Sequence, residues 1–421
     1  MNNTVSFHKT IVPQQEELPS LAKLEELWDL AIKHYESERY LDSLLATIDY
    51  ININARKKFG NNEQTEFCFS HGSVLVNLKI DNDKISITSP FLKLPENAKI
   101  ALLRRVAEIN FNKLQLAKIV LKGDELSFRF ECPLALCYPN KIYDVFRIIC
   151  FNADYYDDEF VTQFGAVRIQ EPVITFYTND LIDKSFEQFT AYIKECQEYV
   201  AYFEGKRMTG FAWDIYCMFF RKLEYFLKPK GNIGNTIADM ISELDSSNKS
   251  MADRNSAAKK VVLQLQTITK ENLKEDLYYT DEFIPWKYYG KLERIQEYFE
   301  DSHEIATSEL NKGEYMACAC TILLCYYRML YSYRLTPEIQ QFIEYNLEQT
   351  SEKPWKEAAE LLFNSLDNFM EGNLLIAMTN NEFDTNDFMK AFTEGGNTQM
   401  NDYMKQAMEM SKKMMAKFMT N

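Results

Sequence analysis

Between Val74 and Ile87 the apolar residues of this chain recur at every second position, whereas in the stretches from Leu24 to Ile51 and from Leu102 to Ile109 they recur every three or four. A period of two belongs to a strand with one buried face, and a period near 3.6 to a helix with one buried stripe. A chain that switches between them builds a sheet and the helices that cover it. Val74, Val76, Leu78 and Ile80 alternate with Leu75, Asn77, Lys79 and Asp81, and after the turn Asp81-Asn82-Asp83-Lys84, Ile85 and Ile87 alternate with Ser86 and Thr88. This predicts a β-hairpin. Pro95 suits a first helical turn and precedes a stripe of Leu102, Leu103, Val106, Ala107 and Ile109. Leu116 to Leu121 and Leu126 to Phe130 read as two more strands about the turn Lys122-Gly123-Asp124. A last helix carries Ile142, Phe146, Ile149, Ala153, Tyr156 and Phe160 on one face. The order of elements predicts an α+β domain at residues 61–170, a small antiparallel sheet with flanking helices.

The rest of the chain reads as helical, so this domain is embedded in a larger, mostly helical protein. Only 13 Gly and 11 Pro among 421 residues leave few breakers. Residues 1–20 read as a flexible tail. Residues 21–60 read as a helical hairpin, from Leu24, Leu27, Trp28, Ala31, Ile32 and Tyr35 and then Leu41, Leu44, Leu45, Ile48 and Ile51. Residues 171–375 read as a helical domain, interrupted by a polar loop at Leu244 to Ala257, and residues 376–421 as a linker and a Met-rich C-terminal helix.

Two resemblances accompany these patterns. Trp28, Tyr35 and the Arg39-Tyr40 corner loosely resemble a tetratricopeptide hairpin. The run from Leu102 to Phe111, followed by Leu116 to Leu121, Gly123-Asp124-Glu125-Leu126 and Phe128-Arg129-Phe130-Glu131, resembles the YbjN-type domain, which is similar in fold to the class I chaperones of type III secretion. The resemblance implies a protein-binding module that holds segments of a client against its sheet or helices, often as a homo-oligomer. The chain departs from the small chaperones in carrying a long helical extension.

Composition narrows the function mainly by exclusion. A formal charge of -15 disfavours nucleic acid, whose phosphates are bound by Lys and Arg, and disfavours anionic membranes. Nine cysteines, an odd number lying mostly in apolar runs, read as reduced thiols, and no stretch has the length and hydropathy of a membrane span, so the expected setting is cytoplasmic. The four histidines, His8, His34, His71 and His303, sit in no nucleophile motif. Cys318 and Cys325 share a helical face from which Cys320 points about 160° away, so the three cannot close on one metal ion. Asp154, Asp157, Asp158 and Glu159 read as a solvated helix end, and Gly231-Asn232-Ile233-Gly234 lacks the Lys and Ser or Thr of a phosphate loop.

With no catalytic residues, metal ligands or cofactor assigned, the expected function is that of a non-catalytic protein-binding protein, chaperone-like or an adaptor. Two alternatives stand beside it: a structural component of a larger, secretion-related assembly, and an enzyme with a dispersed site. The residues singled out for a protein partner are Met400, Met404, Met408, Met415 and Phe418, which fall near one face of the last helix. Methionine is flexible and polarizable, so such a face can repack against different surfaces.

Overall fold

The chain folds as the change of period requires, into an antiparallel sheet and a helical body; the computed structural model describes residue 4, residues 6–12 and residues 19–374. The Met-rich partner residues Met400, Met404, Met408, Met415 and Phe418 lie outside the described residues. The first helices are α1 (Leu21–Glu36), α2 (Tyr40–Ile51) and α3 (Ala55–Phe59). Ser20 caps α1 by accepting from the Lys23 amide, and Trp28 packs on Tyr50 across the hairpin with ring centroids 4.6 Å apart.

The sheet comprises β1 (Glu66–His71), β2 (Val74–Asp81), β3 (Lys84–Lys93), then, after α4 (Lys99–Asn112), β4 (Lys118–Lys122) and β5 (Glu125–Pro133). Its order is β1-β2-β3-β5-β4, every pairing antiparallel. After α5 (Pro139–Phe164), the short β6 (Val167–Arg168) pairs with the end of β3. The fold is therefore α+β. β1 was not anticipated as a full strand, because Phe67 and Phe69 are its only bulky apolar residues.

One face of the sheet is buried: Phe69, Val76, Leu78, Ile87 and Phe128 meet Leu44 and Ile48 of α2 and Ile142, Phe146, Ile149 and Phe160 of α5. The other face presents Lys79, Arg129 and Glu131, all exposed, with Asn77, Thr88 and Ser127 half-buried. The free edge at β4 is closed by a side chain. Asn110 of α4 donates from Nδ2 to the Ile119 carbonyl at 3.0 Å and accepts the Ile119 amide at Oδ1 at 2.7 Å, imitating a strand partner.

The helical body contains β7 (Ile174–Phe176), α6 (Asn179–Gly205), α7 (Thr209–Leu227), α8 (Gly231–Asp245), α9 (Met251–Gln266), α10 (Lys270–Glu275), β8 (Tyr278–Thr280), β9 (Tyr288–Tyr289), α11 (Leu292–Asn311), α12 (Tyr315–Ser332), β10 (Tyr333–Arg334), α13 (Pro337–Thr350) and α14 (Trp355–Met370). The Ser- and Asn-rich stretch read as a loop is instead the end of α8, a short link, and the start of α9. Ser250 caps α9 and Ala258, Val262 and Leu265 bury a narrow stripe, so the polar residues form its outer face.

Two further differences bear on domain organisation. Residues 6–12, read as part of a tail, are docked: Phe7 and Val12 are buried, and Phe7 lies between Tyr225 and Tyr327. The described residues up to Gly372 also form one compact unit with no division at 60 or 170. The reason is a strap, residues 277–290, that leaves the helical body and lines the edge of β1. The Gly72 amide donates to the Asp281 carbonyl, the Phe283 amide donates to the Ser70 carbonyl, and Phe283 and Ile284 enter the sheet's own core.

Candidate ligand-binding cleft

The strap, the end of α7 and the end of β10 converge on a cleft of about 450 Å³, a size typical of small-ligand sites. Four basic side chains line it: Lys228, Lys230, Lys287 and Arg334. Each arrives for a local reason. Lys228 ends α7 in the left-handed conformation (φ 45°), a position glycine usually takes, and Pro229 prevents the helix from continuing. Lys230 is fixed by its amide, which donates to the Asp276 carbonyl at 2.8 Å. Lys287 lies on the strap and reaches the last turn of α12, donating to the Leu330 carbonyl at 3.3 Å, where a helix end favours a cation. Arg334 is held in β10, pairs through its strand with β9, and donates to the Tyr289 hydroxyl at 2.8 Å.

The charges do not balance. In the lining, Glu282 faces these bases and Lys230 takes it at 2.7 Å; Glu344, which acts on Lys228 from outside the lining, is paired with Lys9 at 2.5 Å. Burial alone would push the Glu282 carboxyl up, yet the Lys230 ammonium holds it below its ordinary range. The other acidic lining residue, Asp281, is engaged by Lys58 at 2.5 Å. Among the described residues Lys228, Lys287 and Arg334 make no ion pair, and the Arg334 Nε is buried without a hydrogen-bond partner. Burial and then the Lys228 charge pull Lys287 down to about 8. Lys228 is itself lowered, chiefly by burial.

Aromatic rings form the remaining walls. Trp286 packs on Tyr331 at 4.5 Å, Tyr177 on Tyr279 at 4.6 Å, and Arg334 lies over the Tyr289 ring at 4.9 Å. Tyr288 stands at the rim, 66% exposed. Such walls supply flat apolar surface together with hydroxyl donors. A second cavity, of about 330 Å³, contains Asp214, Arg221, Tyr298, Glu309 and Arg328, but there Arg221 is paired with Glu224 and Asp245.

The residues singled out from the sequence fall elsewhere. His71 is buried, accepts the Ile284 amide at Nδ1 at 3.4 Å, and is pushed down by burial, so it is a neutral ring that anchors the strap. His8 meets the Tyr192 hydroxyl, and His303 meets Asp367 at 3.1 Å. Cys318, Cys320 and Cys325 are buried in α12, and among the described residues no group of three or more His, Cys, Asp and Glu side chains is arranged to hold a metal.

The acidic run on α5 is not the solvated helix end that its composition suggests. Asp154 accepts from the Ser73 amide at 2.6 Å; the Ser73 hydroxyl is shared between Asp154 at 2.9 Å and Asp157 at 2.8 Å; Asp157 also accepts from Arg168 Nε at 3.0 Å, and Asp158 meets the other arm of Arg168. These carboxylates clasp the β1–β2 turn onto α5. Asp157 is 2% exposed, in contact with Ser73 from the β1–β2 turn and Arg168 from β6, two segments that the run itself does not reveal.

The cleft was missed because its cations come from three separated segments, each an ordinary Lys or Arg beside aromatic residues. The available signal was the run Tyr278 to Tyr289, unusually aromatic and broken by Pro285, which is followed by Trp286-Lys287. No family model matches the chain, and no curated protein matches it. Among the described residues, no helix is long and apolar enough to cross a membrane.

Proposed function

We propose that this chain works by binding, and that its principal site is the Lys228–Lys287–Arg334 cleft, which takes a small anion of two or more charges with an apolar or planar body. The observation that carries the reading is the unbalanced charge: three basic side chains line one cleft while Lys230 occupies the nearby carboxylate. Burying charge without a partner is costly, and an anionic ligand removes that cost. The rest of the protein repels anions, with a formal charge of -15, so the cleft runs against the general field. Its aromatic walls would cover the uncharged part of the ligand. Titration calorimetry of the full chain with inorganic pyrophosphate tests this. Saturable binding that weakens with salt, and is lost in Lys228→Gln/Arg334→Gln, supports the reading; no binding, or binding unchanged in that variant, removes it.

A second reading, the binding of a protein partner that the YbjN resemblance implies, is favoured by a different surface. On α4, Ile100 is 70% and Phe111 89% exposed, and Leu121 on the neighbouring β4 is also exposed. The open sheet face itself is polar, so client contact belongs on this helix side. Crosslinked pull-downs with the full chain and with Ile100→Ser/Phe111→Ser test it: a partner retained equally by both would exclude this surface.

A further inference from the structure

We propose that Lys287 is a reactive amine that condenses reversibly with the carbonyl group of an anionic aldehyde or ketone held by Lys228 and Arg334, so that the ligand of the cleft is bound as an imine. The inference rests on the anion reading above and names the class of compound within it.

Three features of the geometry point to Lys287. It lies in the cleft wall on the strap, beside the Trp286 ring at 5.6 Å, and its hydrogen bond goes to a backbone carbonyl, that of Leu330, instead of to a carboxylate. The charged groups acting on it are Lys228, Lys230 and Arg334, all cationic, and Glu282, which Lys230 already holds. An amine crowded by cations and partly withdrawn from water loses its proton near neutrality and becomes nucleophilic. Burial contributes most to the value near 8, and the neighbouring cations, Lys228 first, add to it. The same cations attract the ligand's anionic group, which places its carbonyl against the amine.

The step balances without any added oxidant or reductant. The Nζ lone pair attacks the carbonyl carbon, giving a carbinolamine. The two amine hydrogens then leave with the carbonyl oxygen as water, and a C=N bond replaces the C=O bond. Hydrolysis returns both partners.

Pyridoxal 5′-phosphate serves as the probe because it combines an aldehyde, a planar ring and a dianion. The full chain is incubated with it, reduced with borohydride, digested and mapped by mass spectrometry, with unphosphorylated pyridoxal and excess pyrophosphate as parallel arms. The expected result is one dominant label at Lys287, suppressed by pyrophosphate and weak with pyridoxal. Lys287→Arg keeps the positive charge but has no nucleophilic amine, so incorporation at the cleft falls at least about tenfold while pyrophosphate still binds. Labelling should also rise with pH through the range around 8 as the amine loses its proton. Label on Lys228, or spread over surface lysines while pyrophosphate binds normally, overturns the reactive amine and leaves the anion site standing. Failure of pyrophosphate to bind the unmodified chain overturns the anion site itself.

Discussion

The ring of Phe283 is stacked on that of Phe69 with centroids 3.8 Å apart, and it also meets Phe146 edge-on at 5.1 Å. A residue from the helical half of the sequence is thus a fully buried member of the sheet's core. The strap that carries it also carries Lys287, so the cleft is positioned by a hydrophobic anchor a few residues away.

Replacing that anchor should be costly for the whole unit. Phe283→Ala removes a buried aromatic side chain and should lower stability by about 3–5 kcal/mol, whereas Phe111→Ala, at an exposed position, should change it by less than about 0.5 kcal/mol. Urea denaturation followed by far-ultraviolet circular dichroism compares the two. Equal effects would show that the strap does not hold the sheet core together.

Asp276 links stability to pH. Burial pushes its carboxyl up to about 7, against the amide of Ile233, which donates to it at 2.8 Å and favours the charged form. A carboxyl raised above its unfolded value contributes stability below about pH 4, and that contribution is lost as pH rises through 7. Asp276→Asn keeps an acceptor for Ile233 and does not titrate. The variant should match the parent at pH 4 and exceed its stability at pH 8 by on the order of 1–2 kcal/mol. A constant difference at both pH values in denaturation experiments would contradict the assignment.

Gly72 turns β1 into β2 at φ 57°, and a Cβ there would lie 1.9 Å from Asp154 Oδ1. Gly72→Ala should cost more than about 3 kcal/mol through backbone strain and the collision together. Adding Asp154→Ala should return part of the loss, since it removes the collision but not the strain. Melting temperatures of the two single variants and the double variant separate the terms; strict additivity would mean that the two residues do not meet.

Asn110 protects the β4 edge. Asn110→Ala leaves the Ile119 amide and carbonyl without their partner and should cost about 1–2 kcal/mol. It should also expose a pairing edge, so light scattering should show self-association that grows with concentration. A variant whose scattering matches the parent's at every concentration and that loses no stability would rule out the edge-protection role.

The elements that the sequence revealed best are those whose pattern is local. The β2–β3 hairpin, the β4–β5 turn at Gly123 and the apolar face of α5 follow from side-chain period and turn residues alone. α9 was hidden because its buried stripe is three residues wide among Ser, Asn, Asp and Lys. The α5 acidic run was misjudged because a carboxylate next to solvent and one clasped by Ser73 and Arg168 look identical in one dimension.

Periodicity by itself therefore determined the class of fold, since burial of an apolar face is enforced by neighbours two, three or four positions away. Tertiary structure alone decided that residues 277–290 cross to the sheet, and that Lys228, Lys287 and Arg334 face one another. Those relations depend on distances between segments far apart along the chain, and no local pattern of residues encodes a charge left without its counterion.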